Sequence, residues 1–217
     1  KKTPATSSNG SASKDNYRAI LSKKDLDGLV RKLKKAKVLA FDTETDSLDF
    51  TQANLVGLSV ATDEDNAYYI PVGHDYEGAP KQLDRDEVLK KLKPIIEKTP
   101  LIGQHLKFDR NVLANYDIHL NAIENDTMLM SYVYDPTATR HNLDAMASHY
   151  LNVKTTTFED VAGKGVKQLT FNQIPLEKAS DYAAEDADIT FRCYSHLKPA
   201  LAKTPSLEKV LHEIELP

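Results

Sequence analysis

The chain has 217 residues, with 28 Lys+Arg against 32 Asp+Glu for a formal charge of -4, an apolar fraction of 41% and a charged fraction of 28%. These values suit a soluble globular chain of one domain plus a tail, and no apolar run approaches the ~20 residues of a membrane-spanning helix. The opening KKTPATSSNG lacks the apolar core of a secretory signal, and the one cysteine, Cys193, excludes an intramolecular disulfide framework and fits a reducing compartment. The charge is unevenly spread. Residues 1–40 carry 11 Lys/Arg and 3 Asp/Glu, or +8, whereas residues 41–217 carry 17 and 29, or -12. So acidic a body does not suit a simple phosphate-binding module, which is basic, but it leaves room for an enzyme that holds metal ions on carboxylates.

Residues 1–16 are mostly Ser, Thr, Lys, Asn and Gly with little to bury, and read as a disordered linker behind a preceding domain. Ser22 is positioned to cap a helix whose apolar stripe is Leu26, Leu29, Val30 and Leu33. Three strand-like runs follow, Val38–Thr43, Asn54–Thr62 and Ala67–Val72, and their short polar joins predict an antiparallel meander. Asp84 caps a helix carrying Val88, Leu89, Leu92, Ile95 and Ile96, with Pro94 expected to bend it. Leu101–Gln104 is a short strand leading to a helix over about Phe108–Tyr116. A further strand lies near Ile123, before a helix from Asp126 with Met128, Leu129, Tyr132 and Val133 inward. The remainder reads as a helix over about Leu143–Leu151, a loop through 152–170 and a long helix from about Ala179 to Ala202. Strands first, then strands alternating with helices, predict an α/β mixed sheet with helices on both faces. No G-x-G-x-x-G follows the first strand, and Gly163-Lys164-Gly165 lacks phosphate-loop spacing.

Carboxylates carry the chemistry. Asp42 and Glu44 end the first long strand two residues apart, so they point the same way about 7 Å apart, and two such acids repel unless a cation lies between them. Asp109 follows a short buried strand and opens a helix, where it also has a plain capping use. Tyr182 and Asp186 share a helix face at i, i+4; Ala183 and Ala184 allow close approach to a sheet, and Glu185 and Asp188 read as solvent or capping charges. With 32 acids in 217 residues, each feature alone is expected by chance. Together, four carboxylates without His or Cys make a hard oxygen site suited to Mg²⁺ or Mn²⁺ rather than zinc, the type that serves phosphoryl chemistry.

The order Asp42-Thr43-Glu44, Asp109, Tyr182-x-x-x-Asp186 resembles the DEDD exonucleases of ribonuclease H-like fold, in the subtype with tyrosine in the third motif. Longer strings extend the likeness: FDTETDSLD (41–49), ANLVGLS (53–59), LANYDI (113–118), KGVKQLTFNQI (164–174) and YAAEDAD (182–188) resemble the proofreading domain of bacterial DNA polymerase I. The resemblance places this domain over 17–217 and implies 3′→5′ removal of terminal nucleotides from single-stranded or frayed DNA. It implies two divalent cations, Mg²⁺ or Mn²⁺, with Zn²⁺ admitted at one site. Asp42, Glu44 and Asp186 would hold one cation, Asp42 and Asp109 the second, with Tyr182 and Glu44 orienting the attacking water. Leu48 and Phe158 carry over as apolar base contacts, Gln104 and Arg140 as sugar or phosphate contacts, and His105 stands where the second motif usually has Asn. The implied partners are DNA and a polymerase domain beyond Leu216-Pro217, in a monomeric, cytoplasmic, nucleoid-associated protein without membrane contact. Two other readings are an RNA-trimming exonuclease of the same superfamily and a scaffold that braces a polymerase without chemistry. The complete set of five motif residues argues against the scaffold.

Overall fold

The structure is a computed structural model that describes residues 14–217; positions 1–13 of the expected linker lie outside the described residues. Its central strand, β2 (Leu39–Thr45), alternates between two buried surfaces, as strand geometry requires. Leu39 and Phe41 join one apolar cluster, and Ala40 joins another on the opposite face. The first cluster is filled by α1 (Lys23–Leu33), α2 (Arg85–Ile96) and α3 (Leu106–Ala114). The second is filled mainly by α4 (Thr127–Tyr134), α5 (Leu143–Met146) and the 26-residue α7 (Leu176–Leu201).

The sheet has six strands in the order β1-β4-β3-β2-β5-β6, with β1 at Arg18–Ala19, β3 at Leu55–Asp63, β4 at Asn66–Pro71, β5 at Leu101–Gly103 and β6 at Ile123–Asp126. The β2-β3-β4 meander is antiparallel, while the pairs β1-β4, β2-β5 and β5-β6 are parallel. The predicted mixed sheet with helices on both faces is thus the observed one. Ser22 and Asp84 cap α1 and α2, accepting from the amides of Asp25 and Glu87. No helix among the described residues is long and apolar enough to cross a membrane.

Several local expectations are corrected. Within the expected linker 1–16, Lys14 is held against the body: its Nζ lies 2.9 Å from Thr156 Oγ1 and 3.3 Å from a Glu185 oxygen. The expected loop 152–170 contains α6 (Phe158–Ala162), nucleated by a capping box in which Thr157 and Asp160 satisfy each other. Helix α4 buries Thr127, Met130, Ser131 and Val133, leaving Met128 and Leu129 partly buried and Tyr132 exposed. The apolar count picked the wrong face there, because Thr127 and Ser131 satisfy their hydroxyls internally and so tolerate burial. Glu185 and Asp188 are not solvent charges: they are 1% and 0% exposed, each with partners of its own. The chain ends in α8 (Pro205–Val210) and a wider turn over Leu211–Glu215, neither evident from periodicity.

Helix α7 lies over β2, β3 and β4, with Ala179, Ala183, Ala184 and Ala187 completely buried on its inner side. On the sheet, Gly57 is the register partner of Glu44, and the Tyr69 ring passes over it. A Cβ at Gly57 would fall 2.2 Å from the Tyr69 oxygen. Tyr69 is itself buried and hydrogen-bonded to His74 Nε2 at 2.8 Å, so it has no free path aside. Gly57→Ala is therefore expected to destabilise the fold by ~1–3 kcal/mol, the usual scale of overpacking. A urea melt read by circular dichroism measures it; an unchanged midpoint would contradict the packing described.

Candidate active site

Strand alternation fixes the first motif. Asp42 and Glu44 follow Ala40 on the α7 side of β2, whereas Thr43 turns to the other side. From α7, Asp186 reaches the same place, and one carboxylate oxygen each from Asp42, Glu44 and Asp186 lie within 4.8 Å of one another. The alanines around Asp186 let the helix sit this close to the sheet. Asp109 arrives from α3, 2% exposed, and its Oδ1 accepts from the Thr43 amide at 2.8 Å and hydroxyl at 2.6 Å. It is not a helix cap. That duty falls to Asp126, whose carboxylate accepts from the His105, Leu106, Met128 and Leu129 amides and so caps α3 and α4 together. Asp126 was visible in the sequence only as the start of α4.

Burial and mutual repulsion shape the electrostatics. Burial raises the Asp42 carboxyl to about 7. Glu44 is raised well above the carboxylate range by burial and then by Asp42, Asp186 and Asp109. Burial and Asp42 likewise raise Asp109 and Asp186, although Thr43 partly offsets the rise at Asp109, and a bond from the Tyr182 phenol does so at Asp186. The Tyr182 phenol is itself driven far up by burial and by Asp186, so it stays protonated at neutral pH. Among the described residues no cation neutralises the cluster, and Glu44 Oε1 is buried with no hydrogen-bond partner. Converging hard oxygens, repulsion without a counter-charge and an orphaned buried carboxylate oxygen fit a divalent cation.

Beside the carboxylates opens a cleft of about 520 Å³, lined by Thr43–Leu48, Phe108, Phe158, Gln168–Phe171 and Tyr182. Leu48 is 93% exposed on one wall. Phe158, the first residue of α6, stands edge-on to Tyr182 with ring centroids 6.1 Å apart. Phe171 also packs against Tyr182, tilted, with centroids 6.1 Å apart. Of the expected substrate contacts, Leu48 and Phe158 therefore share the cleft with Glu44 and Tyr182.

The other three stand apart from that cleft. Gln104 spends its amide internally, donating from Nε2 to the His141 carbonyl at 2.8 Å and accepting from the Thr127 hydroxyl at 2.6 Å. His105 is exposed with a left-handed backbone (φ 63) and borders a separate hollow with Lys107, Arg110 and Leu216. Asn tolerates that backbone as well as His does, a conformational link between the two residues at this position. Arg140 is exposed on a third depression with Asn142, Asp144 and His149. Sequence reading missed Phe171, Gln168 and Leu169 as cleft residues. The string KGVKQLTFNQI held them, but it gave no periodicity that could aim them.

A family model described as a 3′-5′ exonuclease matches residues 17–202. The chain is 51% identical over 206 residues to DNA polymerase I of Pseudomonas aeruginosa, covering 93% of this chain and 23% of that protein. It is 39% identical over 205 residues to DNA polymerase I of Borreliella burgdorferi, covering 93% and 21%. It thus spans between a fifth and a quarter of the length of these relatives. Among solved structures, Pol1 from M. smegmatis in complex with DNA primer-template and dNTP superposes with a TM-score of 0.68 at 17% identity, over 92% of this chain and 30% of that one. Escherichia coli RNase D superposes with a TM-score of 0.66 at 19% identity, over 93% and 49%. At such identities these two establish the ribonuclease H-like fold alone. The family match and the 51% relative go further, and they agree with the convergence of Asp42, Glu44, Asp186 and Tyr182: the chain belongs to the 3′-5′ exonuclease family found in bacterial DNA polymerase I.

Proposed function

We propose that the chain is the editing unit of a DNA polymerase I, hydrolysing the terminal phosphodiester of a single-stranded or frayed 3′ end to release nucleoside monophosphates. The observation that carries this reading is the meeting of the carboxylate cluster and Tyr182 with one wall of the Leu48–Phe158 cleft. Asp42, Glu44 and Asp186 would hold one divalent cation, Mg²⁺ or Mn²⁺, and Asp42 with Asp109 a second. Bound cations of this kind supply positive charge to the phosphoryl oxygens and acidify water near neutral pH. The remaining work falls to side chains. The neutral Tyr182 phenol donates to Asp186, which leaves its oxygen lone pairs free to accept from an attacking water. Glu44, with one oxygen unpartnered, offers a second acceptor on the same water and so fixes its line of attack. Leu48 and Phe158 hold the terminal base by apolar contact, which tolerates any base, as editing requires. Mispaired ends are favoured because they unstack at less cost.

DNA is preferred over RNA as substrate because the relatives at 51% and 39% identity are DNA polymerases, whereas likeness to RNase D lies at the level of fold. A polymerase domain in the same parent chain is the natural partner, given the share of those relatives that the chain spans.

With Mn²⁺ and labelled single-stranded DNA, mononucleotide release is expected, abolished in Asp42→Ala and Asp186→Ala. Tyr182→Phe should lower the rate by about 10²-fold, the scale of a misoriented nucleophile, with little change in oligonucleotide affinity. Activity that persists in both carboxylate variants, or faster turnover of a matched RNA, would overturn the assignment.

A second expectation follows from the raised carboxyl pKa values. Without a cation, folded Asp42 holds a proton up to about pH 7, whereas an unfolded Asp releases it near 3.8. The folded state thus binds more protons between these values, so this contribution is complete below about pH 4 and is lost as pH rises through about 7. In chelator, Tm should fall between pH 5 and 8, and Asp42→Asn should melt several degrees above the parent at pH 8. Mn²⁺ should then raise the parent Tm and leave Asp42→Asn nearly unmoved. A parent Tm insensitive to both pH and Mn²⁺ would show that the carboxylates neither repel nor bind.

A further inference from the structure

Glu185 sits between the third-motif residues Tyr182 and Asp186 in sequence, yet the mechanism above makes no use of it. On α7 it is turned about 100° from Asp186, so it faces away from the carboxylate cluster. It is nonetheless almost wholly buried. Its Oε2 accepts from the Thr156 amide at 2.7 Å, and its Oε1 lies 3.3 Å from Lys14 Nζ. Lys14 also donates to the Thr156 hydroxyl at 2.9 Å, so the three residues close a triangle. Thr156 immediately precedes the capping box that starts α6, and the first residue of α6 is Phe158. The placement of the Phe158 ring against Tyr182 is therefore tied, through one backbone amide, to a buried carboxylate on the same helix as Tyr182.

The lead-in segment is fastened to α7 a second time. Tyr17 donates to Asp188 Oδ2 at 2.7 Å, Asp188 Oδ1 accepts from the Asp65 amide at 2.7 Å, and Arg192 Nε lies 3.1 Å from Oδ2. Beyond Tyr17, the Ile20 amide donates to the Tyr69 carbonyl at 2.8 Å, which sets β1 beside β4. Lys14 thus stands four residues ahead of a strand of fixed register, with Tyr17 tied to α7 between them. A buried carboxylate that loses its counter-charge must take up a proton, admit water or move. Each response weakens the hold on the Thr156 amide and so on the Phe158 wall, while Asp42, Asp186 and Tyr182 lie on other contacts.

We propose that Glu185 and Lys14 are positioning residues for the Phe158 side of the cleft, so that the segment from Lys14 to Tyr17 is a working part of the exonuclease site. This rests on the exonuclease reading given above and adds to it a determinant of terminal-nucleotide binding. The test uses the whole 217-residue chain, a single-stranded oligodeoxynucleotide and saturating Mn²⁺. Lys14→Ala and Glu185→Ala should raise KM by about 3–10-fold, the scale of one charge-assisted contact, with kcat within about twofold of the parent. Lys14→Arg should restore KM. Because the contact acts through the ring, Lys14→Ala should add little to the KM defect of Phe158→Ala. Unchanged KM in a folded Lys14→Ala, or full multiplication of the Lys14 and Phe158 effects, would overturn the proposal. Lys14 lies at the partly exposed rim, so its variants remain informative if Glu185→Ala does not fold. An Asp42→Ala chain that still releases mononucleotides would instead remove the exonuclease reading, whatever the Lys14 variants do.

Discussion

Repulsion among carboxylates is the constraint around which the rest of this molecule is arranged. Asp42, Glu44 and Asp186 are brought within 4.8 Å of one another, with Asp109 close behind, in a place where burial makes each charge costly. No local preference would assemble such a group. It exists because a strand with both faces buried cannot rotate, and because Ala179, Ala183, Ala184 and Ala187 seat α7 tightly on that strand. Two well-packed apolar clusters impose the electrostatic strain. A bound cation would relieve it, so metal affinity and the integrity of the sheet–helix contact would be two sides of one free energy.

Helix α7 carries an acid of the carboxylate cluster and two structurally paired acids within one turn. Glu185 and Asp188 are at least as buried as Asp186, but they end on an amide and an ammonium, or on a phenol, an amide and a guanidinium. Asp186 has only the Tyr182 phenol, and Glu44 keeps a bare oxygen. What distinguishes the clustered carboxylates, among the described residues, is the absence of a cationic protein partner. In the basic lead-in, Lys14 serves a buried acid, whereas Lys23 and Lys32 of α1 pair with Glu87 and Asp63, acids open to solvent.

How much of this was legible in the sequence depends on the range of the interaction. The meander, the first two helix caps, the α1 and α2 stripes and the acids of β2 were readable because period and capping are local. Thr157 and Asp160 are local too, yet the Thr/Gly/Lys composition around them masked a five-residue helix. Long-range partners were unreadable: nothing near Glu185 announces Lys14, 171 positions earlier, and nothing near Asp109 announces Thr43. The inner face of α4 misled for a different reason. Apolar counting ranks Tyr132 above Ser131, but burial goes to the hydroxyl that finds His141 and Tyr150. For the site, alternation placed Asp42 and Glu44 together, while only the known order of the motifs suggested that Asp109 and Asp186 would join them.

The acidic body poses a last question, namely where a phosphodiester finds enough attraction to bind. A diffuse basic field is ruled out by a charge of -12 over residues 41–217. Under the exonuclease reading, bound cations on the carboxylates would meet the scissile group and apolar contact with Leu48 and Phe158 would meet the base, which would leave the neighbouring phosphates to individually placed side chains. If Arg140 is one of them, its segment must be held still, and Gln104 ties down the residue that follows it. Its amide bridges the Thr127 hydroxyl at the start of α4 and the carbonyl of His141, the residue after Arg140. His141 is anchored in turn by Ser131 at 2.8 Å and by the Pro136 carbonyl at 3.1 Å. Gln104 is thus a strut between the start of α4 and the segment that carries Arg140, its amide spent on these two bonds. An acidic body of this kind would have to recognise a phosphodiester by rigidity at close range, and the polar groups around 131–141 would supply such rigidity.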